Sequence, residues 1–208
     1  MPYSEFLLVN SNHTIYLERI HQYFNGFVPL SKEEFEQLLP YFEIREFEKK
    51  QQVVQLGEID NYFNIILKGL VRKYTIVGKK DVTLQLSIEG QMIHSEISFN
   101  TQTPSETIVE TIEPTVFLSM SYGNLLKVYD LFPKIEKLGR LIITYMFIKK
   151  DFRDFSQLKK TTRERFIDYM QSHPDMLQRV PQKYIASYLN IKPETFSRLK
   201  HLMQRRKA

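Results

Sequence analysis

The feature that most constrains this chain is a change in the period of its apolar residues. Between Tyr41 and Met120, apolar and polar residues alternate in short β-branched or aromatic runs, such as Phe42–Phe47, and turn signals that contain glycine separate the runs. On either side of this segment the apolar residues recur every three to four positions, which is the period of a helix. Evenly spaced short strands predict a β-sandwich or a barrel-like roll. The predicted fold class is therefore α+β, a roll with helices before and after it.

Two short helices are predicted before the roll. The first covers Thr14 to Phe24, where apolar residues stand among polar neighbours. The second begins after Ser31, because Ser31 and Glu34 have the spacing of a capping box, in which each side chain bonds the backbone N–H of the other.

A second organising feature is the segment 182–204. Asn190 can take the left-handed conformation that ends a helix, and Pro193 suits the first position of the next one. Ala186 is small where two crossing helices come closest, and Ile191 can fill the angle between them. The apolar residues expected to face inward are Ile185, Leu189, Phe196, Leu199 and Met203. This is the helix-turn-helix layout, whose second helix enters the major groove of DNA.

The charge distribution supports DNA binding over plain helix packing, which the same local pattern also allows. Of the chain's 29 Lys+Arg and 24 Asp+Glu, residues 153–208 hold 13 and 5, a net charge of +8, which leaves the first 152 residues at −3. A basic end on an otherwise acidic chain is typical of nucleic-acid binding, which depends on phosphate neutralisation. The predicted DNA-binding residues are Lys183, Lys192, Glu194, Thr195, Ser197, Arg198, Lys200 and His201.

A long helix is predicted from Pro133 to Lys160, and its apolar residues follow a seven-residue repeat. At 1.5 Å per residue, about 25 helical residues extend roughly 38 Å, too far for a small roll to cover. We therefore predict a homodimer interface formed by Leu138, Leu141, Tyr145, Ile148, Phe152 and Phe155. Because Ile142 and Met146 widen the stripe, part of the helix is also expected to pack on its own domain.

Three glycine-centred turns resemble those of the cyclic-nucleotide-binding β-roll. They lie at Gly57-Glu58, at Gly69 and at Glu89-Gly90. Together with the long helix and the helix-turn-helix, they make nearly the whole chain similar to the Crp/Fnr family of bacterial transcription regulators. The resemblance implies a cyclic-nucleotide-binding-like sensor roll in residues 1–130, a dimerisation helix in 131–160 and a DNA-binding domain in 161–208. It also implies a homodimer on a palindromic operator, with RNA polymerase as a further partner and a small molecule as effector.

The effector site departs from the family's pattern. Members that bind cyclic nucleotides use a cassette similar to Gly-Glu-Leu-Gly followed by Arg-Ser or Arg-Thr, whose arginine pairs with the phosphate. Here Glu96 is offset from that pattern, and no Lys or Arg stands between Lys80 and Lys127. A cyclic phosphate would lack a charge-assisted contact, so we predict no tight binding of cyclic AMP. By position, a pocket for another effector would be lined by His94, Ser95, Glu96, Ser98, Thr103 and Ser105.

The recognition helix departs from the family in one position. The family's pattern is similar to Arg-Glu-x-x-x-Arg, and here Glu194 and Arg198 match its last two residues while Pro193 replaces the first. Arg198 has the geometry to bind guanine, and Glu194 can accept from cytosine. The alternative is an ion pair between these two side chains, four residues apart on one helix. Because only Arg205–Ala208 follow, a β-hairpin wing is expected to be absent or minimal.

Composition excludes several classes of chemistry. The chain has no cysteine, which removes disulfides, thiolate metal sites and cysteine nucleophiles. His94 has no second ligand at a useful spacing, so we predict a structural residue and neither a metal, a cofactor nor a catalytic site. The start of the chain lacks a signal-peptide pattern, and the longest apolar run, Leu141–Ile148, is far shorter than the roughly 20 residues that span a bilayer. A cytoplasmic protein without membrane contact is predicted.

Two other functions remain open. One is a ligand-binding signalling module whose basic C-terminus contacts an acidic protein partner. The other is an enzyme built on the roll, as in cupins, which the absence of clustered histidines and carboxylates in the roll disfavours.

Overall fold

The computed structural model of the chain describes residues 11–205, with side chains for residues 15–201. The predictions about a signal peptide and a wing fall on residues 1–10 and 206–208, which lie outside this range, as does the side chain of Met203. Within the described residues the chain forms two compact units, residues 11–73 with 87–145, and residues 74–86 with 146–205.

Helices α1 (Ser11–Asn25) and α2 (Lys32–Leu38) precede the roll. The predicted capping box at Ser31 is confirmed, since the Ser31 N–H donates to Glu34 Oε2 at 2.7 Å and the Glu34 N–H donates to Ser31 Oγ at 3.2 Å. A short 3₁₀ turn, Leu39–Tyr41, then leads into the first strand.

Eight strands form two four-stranded sheets with the orders β1-β8-β3-β6 and β2-β7-β4-β5. Their bounds are Phe42–Phe47 (β1), Gln52–Val54 (β2), Tyr62–Lys68 (β3), Val71–Val77 (β4), Lys80–Ser87 (β5), Met92–Ile93 (β6), Ile108–Thr111 (β7) and Thr115–Ser121 (β8). Both β1 and β3 pair with β8 in antiparallel register. One buried cluster takes residues from both sheets, namely Val54, Ile66, Val71, Ile93, Val109 and Phe117. The sheets therefore share an apolar core, as the alternating pattern predicts for a roll.

The turn glycines fit their predicted places. Gly69, between β3 and β4, has a φ of 110°, and a Cβ there would lie 2.5 Å from Thr115 Oγ1 and 2.7 Å from the Pro114 carbonyl oxygen. Glycine is therefore required at this position for both conformation and space. After Gly90 the chain forms β6 and a short helix, α3 (Glu96–Thr101), neither of which the sequence patterns predict.

Six helices follow β8. Their bounds are Tyr122–Leu131 (α4), Pro133–Lys159 (α5), Thr162–Ser172 (α6), Met176–Arg179 (α7), Gln182–Tyr188 (α8) and Pro193–Arg205 (α9). Pro133 begins the long helix as expected, and Thr161 caps α6 through a second capping box with Glu164. Residues 133–145 of α5 belong to the first unit, and residues 146–159 belong to the second. None of the described helices is both long and apolar enough to cross a membrane.

Candidate functional site

Helices α8 and α9 form the helix-turn-helix, and α6 packs beneath them. The ring centroids of Phe166 in α6 and Phe196 in α9 lie 5.1 Å apart in an edge-to-face arrangement. Ile185 and Ala186 of α8 are almost fully buried, and Leu199 of α9 is buried as well. The apolar residues described in this segment therefore face inward as the sequence predicts.

The turn between the two helices has the expected conformation. Asn190 has a φ of 53°, and the Ile191 N–H donates to the Ala186 carbonyl at 2.8 Å. Arg165 of α6 supports the turn, because its Nε donates to the Leu189 carbonyl at 3.3 Å and its Nη1 to the Lys160 carbonyl at 2.7 Å. The sequence patterns did not single out Arg165, since a contact of this separation has no local signal.

The solvent-facing side of the helix-turn-helix carries the predicted DNA-binding residues. Six are exposed and two are partly exposed; the exposed ones are Lys183, Lys192, Glu194, Ser197, Arg198 and His201, and the others are Thr195 and Lys200. Helical spacing places Glu194, Ser197, Arg198 and His201 on the side of α9 opposite Phe196 and Leu199. Within residues 15–201 the structure shows no ion pair between Glu194 and Arg198. Both side chains are thus available to a partner.

A hairpin of the second unit holds the end of α8. Ser187 Oγ accepts from the Thr83 N–H at 2.9 Å and donates to the Asp81 carbonyl at 3.4 Å. Arg153 of α5 donates to the carbonyls of Leu84 and Tyr188, and its guanidinium carbon lies 4.2 Å from the centroid of the Tyr188 ring. These contacts join β5, α5 and α8, so they fix α8 against the rest of its unit.

The predicted effector-pocket residues lie around α3, and several bond to one another. Ser95, Ser98 and Ser105 are nearly fully buried. Ser105 Oγ donates to Ser95 Oγ at 2.8 Å, and Ser98 Oγ donates to the Thr103 carbonyl at 2.6 Å. Asp60, which the sequence patterns did not single out, accepts from the Ser95 N–H at 2.7 Å. Burial raises the pKa of Asp60 above its usual value, and its backbone hydrogen bonds oppose that effect.

Lys73 of β4 supplies a cation to this region. It is 5% exposed, and its Nζ donates to the His94 carbonyl at 3.1 Å and to the Glu96 carboxylate. Burial acts to raise the pKa of Glu96, but the Lys73 charge outweighs it and holds that pKa below the usual range. The charge that segment 80–127 lacks therefore comes from another strand, where Lys73 is already bonded to a carboxylate.

His94 lies in an aromatic environment. Its ring centroid is 5.9 Å from that of Phe63 and 5.3 Å from that of Phe99, and its Nδ1 is buried without a hydrogen-bond partner among the described residues. Burial lowers the pKa of His94 to about 4, with Glu96 opposing the shift and Lys73 adding to it. The imidazole is therefore neutral at pH 7. Within the same part of the chain there is no group of three or more His, Asp or Glu suited to a metal ion.

Comparisons with solved structures identify the architecture. The c-di-GMP-responsive global regulator CLP of Xanthomonas campestris superposes with a TM-score of 0.65 at 13% identity, covering 85% of this chain and 93% of that one. FixK2 of Bradyrhizobium japonicum gives 0.63 at 18% identity, covering 80% and 86%. The fold is of the Crp/Fnr type. A variant of CooA from Carboxydothermus hydrogenoformans, at 0.61 and 18% identity, covers 81% of this chain and 79% of its own. No protein-family model matches the sequence, and neither does any curated protein.

Proposed function

We propose that this protein is a homodimeric, sequence-specific DNA-binding transcription regulator of the Crp/Fnr type. The observation that supports this most is the α9 face, where Glu194, Ser197, Arg198 and His201 are unobstructed while Phe196 and Leu199 anchor the helix from behind. The comparisons support it independently, because the neighbours of this fold include a global regulator of gene expression. A bacterial cytoplasmic protein working with RNA polymerase on palindromic operators is the setting that this role requires.

Base recognition is assigned to Glu194 and Arg198. They stand four residues apart on one face and make no ion pair with each other in the described part of the chain, so each can address a base edge. Arg198 would donate to O6 and N7 of guanine, and Glu194 would accept from N4 of cytosine. The exposed lysines Lys183 and Lys192 would contact phosphates, which adds affinity without sequence preference.

The test begins with DNA sites selected by the wild-type protein from random sequence. Arg198→Ala should weaken binding to the selected site by about 1–3 kcal/mol and relax the preference at one guanine. Lys183→Ala is the matched control, since loss of a phosphate contact should weaken all sequences alike and lower the salt slope by about one. Unchanged base preference in Arg198→Ala would contradict its assigned role. Failure of any DNA to be enriched would favour the alternative of a signalling module that binds an acidic protein.

We further propose that cyclic AMP is not its effector. The only cation that the structure shows bonded to α3, Lys73, already donates to Glu96, and the hydroxyls of Ser95 and Ser105 bond to each other. A cyclic phosphate would have to break these bonds in a buried site, at a desolvation cost that its own contacts must offset. Calorimetry with cyclic AMP should therefore detect no binding at about micromolar affinity. Micromolar binding would show that Lys73 exchanges Glu96 for phosphate.

A further inference from the structure

A cavity of about 220 Å³ lies within the second unit, beside the turn of the helix-turn-helix. The C-terminal part of α5, helix α6 and the end of α8 form its wall. Its volume is several times the share of about 30 Å³ that one water molecule occupies in the liquid, so it can hold a small organic molecule. It is separate from the residues around α3 that were predicted to line an effector pocket.

The wall of this cavity is cationic. Arg153, Lys160 and Arg165 line it, and Asp168 is the one carboxylate among the lining residues. Asp168 forms an ion pair with Lys160 at 2.5 Å, so the two guanidinium groups remain without a neighbouring countercharge in the wall. Arginine at a concave site favours planar or tetrahedral oxyanions, because its donors match carboxylate and phosphate geometry.

Two buried donors in the wall have no acceptor among the described residues. The Tyr169 side chain is only 9% exposed, and its hydroxyl has no hydrogen-bond partner; the Nε of Arg153 is likewise buried and unpaired. A buried donor left unsatisfied costs about 1–3 kcal/mol, so such groups point to an acceptor that belongs there. Burial raises the pKa of Tyr169 above its usual value, with Tyr188 adding to the shift and Arg153 opposing it, and the hydroxyl therefore keeps its proton at neutral pH.

We propose that this cavity binds a small organic anion whose phosphate or carboxylate group accepts from Tyr169 and pairs with Arg153. The ring of Tyr188 and the side chain of Leu189 provide an apolar surface for its body. Arg153 also donates to the Tyr188 carbonyl, and Arg165 to the Leu189 carbonyl, so the groups that meet the anion also hold the end of α8. Occupancy would thereby change the affinity of the helix-turn-helix for DNA, a coupling that rests on the proposed function.

The binding test uses calorimetry of the full chain in phosphate-free buffer, with inorganic phosphate, phenyl phosphate and benzoate as probes. We expect one of the two organic anions to bind once per chain with a Kd below about 1 mM. Tyr169→Phe should weaken it by about tenfold, because it removes only the unpaired hydroxyl. Lys160→Gln should weaken it by about threefold, and Lys159→Gln, which removes the same charge outside the cavity wall, should leave it within about twofold.

The outcomes separate the possibilities. Tighter binding of phenyl phosphate than benzoate assigns a phosphate ester, and the reverse assigns a carboxylate. The site assignment is overturned if none of the probes binds below about 10 mM, if Tyr169→Phe binds as well as wild type, or if Lys159→Gln weakens binding as much as Lys160→Gln. Because calorimetry needs no DNA, this result is independent of the proposed function. With selected DNA, the bound anion should shift the affinity of wild type but not of Tyr169→Phe, and an unshifted wild type would overturn the coupling.

Discussion

At the scale of single residues, His94 links the composition of the roll to its dependence on pH. The imidazole is 7% exposed, and burial holds its pKa at about 4 in the folded chain, whereas an unfolded histidine titrates near pH 6.5. The unfolded chain therefore takes up a proton between these values that the folded chain refuses. This contribution to stability is complete above about pH 6.5 and falls as the pH drops toward about 4.

We predict that His94 alone lowers the free energy of unfolding by about 3 kcal/mol between pH 7 and pH 4. His94→Phe keeps an aromatic ring beside Phe63 and Phe99, removes the unpaired Nδ1 and should flatten this part of the profile. Urea denaturation at half-unit pH steps measures it. His201→Gln, a change at an exposed histidine, should leave the slope unchanged. A wild-type slope in His94→Phe would show that the ring is accessible to protons in the folded state.

The same residues show what local patterns can and cannot predict at a site. The sequence places His94, Ser95, Glu96 and Ser98 near one another because they are contiguous, and it correctly finds no cation within their segment. It misses Lys73, since a lysine in a strand is expected to face solvent and its burial here depends on a partner 23 positions away. Asp60 and Arg165 are missed for the same reason, because long-range hydrogen bonds leave no periodic signal.

At the scale of elements, the strands and the helix-turn-helix follow from local chemistry. Seven of the eight strands coincide with alternating runs bounded by turn residues, and the two capping boxes begin α2 and α6 where Ser31 and Thr161 predict. The exceptions are β6 and α3, which are short and follow Gly90 in a segment without clear periodicity. Elements of two to six residues depend on tertiary contacts more than on their own pattern.

The turn of the helix-turn-helix offers a test at this scale. Asn190 has a φ of 53°, which costs about 1–2 kcal/mol for most residues with a Cβ and little for glycine. Asn190→Val should therefore lower the free energy of unfolding by about that amount, whereas Asn190→Gly should stay within about 0.5 kcal/mol of wild type. Urea denaturation followed by circular dichroism measures both. Equal stability of the two variants would mean that the turn can adopt another conformation.

At the scale of the whole molecule, α5 carries an apolar surface that the chain itself does not cover. Leu138 is 2% exposed and packs within its own unit, but further along the predicted interface Tyr145 is 41%, Ile148 46%, Phe152 71% and Phe155 48% exposed. A seven-residue repeat of this kind is stabilised when a second helix supplies the matching residues. Two-fold pairing would also present two recognition helices to half-sites about 34–36 Å apart, which a single chain cannot do.

We predict that Ile148→Asp gives monomers, because pairing would bury two carboxylates where two apolar side chains belong. Its affinity for the full operator should fall by at least about tenfold, since one half-site contact is lost. Light scattering and operator titration measure the two effects. Ile143→Asp is the matched control: Ile143 is 57% exposed on the same helix but lies away from the predicted interface, so this variant should remain dimeric. A dimeric Ile148→Asp together with a monomeric Ile143→Asp would place the interface on the Ile143 face instead.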